Sequence, residues 1–206
     1  MEIIFDNKFK ELLLLQRTGL KKNKVITNKI LSDFIMKDFY KLENYIDKNV
    51  KNWLDIGCGL GYINIPIFKK LKSGNMYLLD KSKIEYNKRL IKFGNVKDFG
   101  FYNNLDYTKE FLMLNGIPNE NINLITPEDI NNIDKKLDLV ISLLSWGFHY
   151  PFDTYSDYVY NLLNDNGIII IYCRTNHYQE IIKDKRFVWE IIDNKSNLLI
   201  LGRKSF

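Results

Sequence analysis

Three glycines at alternate positions, Gly57, Gly59 and Gly61, follow directly on the apolar run Trp53-Leu54-Asp55-Ile56. Glycine has no Cβ and tolerates positive φ, so this spacing lets a backbone turn sharply and come close to a bound ligand. A dinucleotide fingerprint reads G-x-G-x-x-G, with its third glycine one residue later and a pyrophosphate on the helix N-terminus. Here the run is Asp-x-Gly-x-Gly-x-Gly, with Cys58 inside the turn. A second apolar run, Met76-Tyr77-Leu78-Leu79, closes on Asp80 and Lys81. Proton chemistry near neutrality falls to His149 and His177, the only two histidines of the chain.

The glycine turn and the later acidic residue, in this order, resemble the first two motifs of the class I S-adenosylmethionine-dependent methyltransferases. The resemblance covers roughly residues 50 to 204 and implies an α/β fold: a doubly wound, mostly parallel seven-stranded sheet with a C-terminal antiparallel hairpin strand. It implies that the turn (Gly57, Cys58, Gly59, Gly61) cradles the methionine part of S-adenosyl-L-methionine, with Asp55 helping to hold it. Asp80, beside Lys81, would take the ribose hydroxyls. After the third strand relatives often set an acidic residue and a following N–H against the adenine. This chain has Thr126 in place of the acid, and Pro127 has no N–H to donate. Glu128 and Asp129 are the substitutes. The fourth strand's end, from Ser142 onward, faces both methyl and acceptor in the family.

That segment reads Ser142-Leu143-Leu144-Ser145-Trp146-Gly147-Phe148-His149-Tyr150-Pro151. It lacks the Asn/Asp-Pro-Pro-Tyr/Phe motif usual in enzymes that methylate exocyclic amines of nucleic-acid bases. An imidazole beside aromatic rings suits an oxygen acceptor, because a hydroxyl is a poor nucleophile until its proton is removed. His149 is the first candidate for that base, followed by His177 and Tyr150, and the rate is expected to fall as pH drops through about 6 to 7. Trp146, Phe148, Tyr150 and Tyr62 would wall the pocket and attract the sulfonium. Positive potential from Arg174, Lys81, Lys83 or the Lys21-Lys22-Asn23-Lys24 cluster favours an anionic acceptor. The expected activity is O-methylation of a small hydroxylated acceptor, such as a sugar, phosphorylated sugar or nucleotide-linked sugar precursor of a surface glycan. A nucleic-acid methyltransferase and a non-catalytic S-adenosylmethionine-binding regulator are the alternatives. No Cys/His cluster has metal-ligand spacing, and the displacement requires no metal.

Short apolar runs bounded by turn residues predict strands at 52–56, 75–80, 122–126, 137–143 and 167–173, with an antiparallel pair at 187–192 and 198–201. Helices are expected at 61–72, 103–115 and 154–163. Residues 1–49 read as an N-terminal helical extension, with helices at 8–17 and 26–47 interrupted near Gly19, and residues 50–206 as the cofactor-binding domain. The stripe Ile30, Leu31, Phe34, Ile35 and Phe39 fits either packing on the domain or a lid over the acceptor. At 206 residues, 46% of them hydrophobic, the chain suffices for one sizeable core. The net charge of +5 is spread over scattered lysines, which makes nucleic acid an unlikely partner. Two cysteines are too few for a disulfide framework. No apolar run approaches the ~20 residues of a membrane span and no signal-peptide pattern is present, so a cytoplasmic protein is expected. The sequence leaves the oligomeric state open.

Overall fold

The computed structural model describes residues 1–17, 26–82, 103–194 and 197–205. Gly19, the lysine cluster at 21–24, Lys83 and Lys195-Ser196 of the hairpin turn lie outside these residues. Two helices come first, α1 (Asn7–Gln16) and α2 (Asn28–Leu42). There follow β1 (Asn52–Ile56), α3 (Asn64–Leu71), β2 (Asn75–Leu79), α4 (Leu105–Leu114), β3 (Ile122–Ile125), β4 (Leu137–Leu143), α5 (Ser156–Leu162), β5 (Leu163–Cys173), α6 (Thr175–Ile181), β6 (Phe187–Asp193) and β7 (Leu198–Lys204). The strands form one seven-stranded sheet in the order β3-β2-β1-β4-β5-β7-β6. β1 through β5 pair in parallel, and β7 lies antiparallel to both β5 and β6.

Alternation along each strand divides the core between the two faces, as the period of two demands. Trp53, Met76, Leu78, Leu139, Ile141, Ile170, Leu199 and Leu201 belong to one apolar cluster. Their neighbours Leu54, Tyr77, Leu79, Val140, Ile169, Ile171 and Ile200 belong to the other. The first cluster takes in Phe9, Leu12 and Leu13 of α1, Leu31, Ile35 and Phe39 of α2, and Phe111 of α4. Val159 of α5 and Ile181 of α6 join the second. The N-terminal helices are therefore packed into the core. Lys41 of α2 reaches over β5 toward the β6 edge of the sheet, donating to the Tyr172 hydroxyl at 3.1 Å and pairing with Asp193 at 3.1 Å.

Two elements depart from the sequence pattern. β5 begins at Leu163, not Gly167, and follows α5 without a loop. The turn-like run Asn164-Asp165-Asn166 is held in the strand because Leu163 pairs with Leu137 and the Asn164 amide donates to Asp138 Oδ1 at 2.6 Å, with the register shifting past it. α6 was not expected, since its seven residues, Thr-Asn-His-Tyr-Gln-Glu-Ile, carry too few apolar positions to show a helical period. No helix among the described residues is long and apolar enough to cross a membrane.

Candidate functional site

The strand order reverses between β1 and β4, which opens a crevice at their carboxyl ends, where ligands bind in open α/β sheets. The glycine turn occupies that position. Gly57, Gly59 and Gly61 have φ of 69°, 55° and 70°, in the left-handed region that L side chains avoid. A Cβ on Gly57 would stand 2.0 Å from Ser145 Oγ, so that glycine also lets the loop after β4 lie against the turn. The N–H groups of Gly57 and Cys58 donate to the Leu79 carbonyl at 2.7 and 3.1 Å, locking the turn to β2.

Asp80, partly exposed at the end of β2, accepts from Gly59 N at 2.7 Å and Asn103 Nδ2 at 3.2 Å on one oxygen, and from Lys81 N at 2.7 Å on the other. Burial still pushes its carboxyl up to about 6. Asp55 lies deeper, and its Oδ2 accepts from Asn64 Nδ2 at 2.7 Å. Asn64 in turn accepts from Trp53 Nε1 at 2.7 Å and donates to Gly61 O at 3.1 Å. Desolvation pushes the Asp55 carboxyl up to about 7. Asp55 thus acts on the turn through Asn64. The remaining residues expected at the cofactor are placed less directly. The Cys58 side chain belongs to the apolar core, where burial pushes its thiol up. Ser142 is fully buried, donating to Ile56 O at 2.8 Å and accepting from Trp146 N at 2.9 Å. Glu128 and Asp129 are exposed in a 3₁₀ turn (Pro127–Asn132), with Asp129 accepting from the Thr126 hydroxyl at 2.7 Å.

A cavity of about 260 Å³ opens between the loop after β4 and α6, and both histidines line it. Phe148 and Arg174 face it too, joined by Asn176 and Glu180, which the sequence did not single out. The loop is a tight knot: Ser145 O accepts from the N–H groups of Phe148, His149 and Tyr150 at 3.0, 2.7 and 3.1 Å. The Arg174 guanidinium lies 4.4 Å from the Phe148 ring centroid, and among the described residues no carboxylate pairs with it. His177 Nδ1 stands 3.3 Å from Gly147 O; a proton on that nitrogen leaves Nε2 as an acceptor.

Three expectations are corrected. Trp146 does not wall a pocket: it is fully buried, donates through Nε1 to Phe152 O at 2.6 Å and stacks on the Phe152 ring. Its rigid knot places His149 instead. Tyr150 is half-buried and stands outside the cavity lining, with burial pushing its phenol up, so it is poorly suited to serve as a base. His149 does not keep an ordinary imidazole pKa, since burial and then the cations of Arg174 and Arg17 hold it down to about 4.

The sequence also missed the contribution of α1. Its last residue, Gln16, accepts from Leu60 N in the glycine turn at 3.0 Å. The next residue, Arg17, donates to the Tyr62 hydroxyl and faces Leu143 O at 3.5 Å. Thr108 of α4 donates to Gly59 O at 2.7 Å. These partners come from positions 44 to 126 residues away, separations at which no local motif exists.

The seven strands in this order, with the last antiparallel and inserted between β5 and β6, helices on both faces and a glycine turn at the reversal, give a fold shared with solved S-adenosylmethionine-dependent methyltransferases. The O-methyltransferase TomG from Streptomyces achromogenes, involved in tomaymycin synthesis and solved with SAM, aligns with a TM-score of 0.59 at 9% identity, covering 99% of this chain and 92% of its own. The SAH-bound methyltransferase PaMTH1 from Podospora anserina aligns at 0.58 and 14%, covering 100% and 99%. An rRNA methylase from Streptococcus thermophilus aligns at 0.53 and 15%, covering 82% and 95%. No protein-family model and no curated protein matches the sequence.

Proposed function

We propose that this protein is an S-adenosylmethionine-dependent methyltransferase that methylates an oxygen of a small, hydroxylated, anionic acceptor. The observation that carries the reading is the juxtaposition, at one end of a methyltransferase sheet, of the glycine turn with Asp80 and a cavity lined by both histidines and Arg174. The turn fits the cofactor: its left-handed glycines offer a backbone free of Cβ atoms, and Asp80 is partly exposed with lone pairs left for ribose hydroxyls. Gly57, Gly59, Gly61 and Asp80 would hold it. Bound there, S-adenosylmethionine supplies an electrophilic sulfonium methyl that an acceptor oxygen takes by in-line displacement, leaving a neutral thioether.

The chain's own part is positioning and proton removal. A phosphate or carboxylate on the acceptor would meet Arg174, whose guanidinium is already oriented by the Phe148 ring. With its pKa near 4, His149 is neutral at physiological pH, accepts the hydroxyl proton as the new bond forms and returns it to solvent. Neighbours of this fold include both O-methyltransferases and an rRNA methylase, so the acceptor screen must span both classes. Labelled S-adenosylmethionine is offered with sugars, sugar phosphates, nucleotide sugars, small phenols and RNA. Transfer to a hydroxylated small anion is expected, and transfer to RNA alone would overturn the acceptor reading.

A further inference from the structure

The cavity between the loop after β4 and α6 is lined by two opposite charges, Arg174 and Glu180, that do not pair with each other. Arg174 rests on the Phe148 ring, and its charge is felt by the His149 imidazole. Among the described residues no ion pair or side-chain hydrogen bond engages the Glu180 carboxylate. Glu180 stands four residues after Asn176 on α6, a spacing that sets side chains next to one another on a helix surface. Both are exposed at the cavity's rim, so a carboxylate and an amide oxygen together offer acceptors there. An anion bound at Arg174 alone would share the cavity with a like charge, which costs affinity. A ligand that also carries a cation turns that cost into attraction.

The helix sets the distance between the two ends. Arg174 immediately precedes α6 and Glu180 is its penultimate residue, so at a helical rise of roughly 1.5 Å per residue their backbone positions lie about 9 Å apart along the axis. A sugar ring with a phosphate at one end and an amine at the other spans a comparable length. The cavity, about 260 Å³, is slightly smaller than the roughly 300–1,000 Å³ of most small-molecule sites, which leaves room for one ring and its substituents. We infer that the acceptor carries a cationic amine besides its anionic group, with Glu180 and the Asn176 amide oxygen receiving the ammonium while Arg174 takes the anion. The substrate class is then a hydroxylated amino compound such as an amino-sugar phosphate. Held at both ends, such a ligand keeps one orientation, which is what in-line transfer to its hydroxyl requires. The inference rests on the methyltransferase reading above.

Labelled methyl transfer to matched acceptors tests it on the intact chain. Hexosamine phosphates are compared with the hexose phosphates that carry a hydroxyl in place of the amine, and with N-acetylhexosamine phosphates, which keep the nitrogen but lose its charge. The unaltered protein should use the hexosamine phosphates with kcat/KM roughly 10-fold above both others, the scale of a charge-assisted hydrogen bond at a partly open site. Glu180→Gln, a change on an exposed side chain, should erase the preference by moving the two KM values in opposite directions: up for the hexosamine phosphate, and down for the hexose phosphate as the like charge is removed. Equal use of the three acceptors, a preference that survives in Glu180→Gln, transfer to the amine nitrogen itself, or transfer confined to acceptors without an amine overturns the inference and leaves the methyltransferase reading standing. If no acceptor in the full screen is methylated, that reading itself fails, an outcome distinct from a failure at Glu180.

Discussion

The two halves of the site are built differently. Around the glycine turn, polar groups are tied to one another: Asp80 to Gly59, Lys81 and Asn103, Asp55 to Asn64, Thr108 to Gly59. Across the sheet, the cavity's Arg174 rests on an aromatic face and His177 on a single carbonyl. The first half is preset by backbone and hydrogen-bonded carboxyls. In the second, Arg174 and His177 keep hydrogen-bonding groups available to a ligand. Substitutions in the first should therefore register in stability and cofactor affinity, and those in the second in turnover and acceptor affinity.

The largest separation of the halves is expected at His149. His149→Ala should lower kcat by about 10²- to 10⁴-fold with the cofactor dissociation constant unchanged. Because its imidazole is held down to about 4, kcat at saturating cofactor should show no His149 inflexion at 6 to 7. His149→Asn sharpens the point: recovered activity in that variant would give His149 a positioning role, with His177 next in line as base.

Gly57→Ala breaks the first half instead. Its Cβ would meet Ser145 Oγ at 2.0 Å in a left-handed conformation, and a loss of about 3 kcal/mol is expected in urea denaturation. Gly59→Ala should cost less, since its Cβ would meet only the end of the flexible Gln16 side chain at 2.7 Å. Asp80→Ala should weaken cofactor binding by about 1.5 to 3 kcal/mol in calorimetry while the fold survives.

The most gradual effect is a slope. Asp55 is pushed up to about 7, so between the ordinary carboxylate range and pH 7 the native state holds a proton that the unfolded chain has released. Stability should fall as pH rises through that window, by at most about 1.4 kcal/mol per pH unit for one proton. Asp80, pushed up to about 6, contributes with the same sign. Asp55→Asn should flatten the profile in chemical denaturation measured from pH 5 to 7.5.

Legibility in the sequence follows the same division. β1 and β4 carry the bounds their apolar runs announce, because fully buried parallel strands are continuous apolar segments. The glycine turn is legible because a backbone constraint demands one residue type at fixed spacing. Trp146 deceived for the opposite reason: an aromatic residue reads alike in a pocket wall and a core, and only the Phe152 carbonyl, which satisfies its N–H, tells them apart. Gln16, Arg17, Asn103 and Thr108 reach the turn through tertiary packing alone. The low pKa of His149 depends on burial and on two arginines distant in sequence, so no local reading could supply it.

The position of β7 between β5 and β6 governs how the chain can be made. Among the described residues β6 pairs with no strand but β7, which follows it in sequence, so β6 has no hydrogen-bonded neighbour among them until residues 198–204 are made. The first helices wait as well, since Phe9 and Leu31 share their apolar cluster with Leu199 and Leu201. Contacts of such long sequence separation slow folding and leave apolar surface uncovered meanwhile. Until β7 arrives, the edge of β5 and the apolar cluster shared with the first helices stay uncovered.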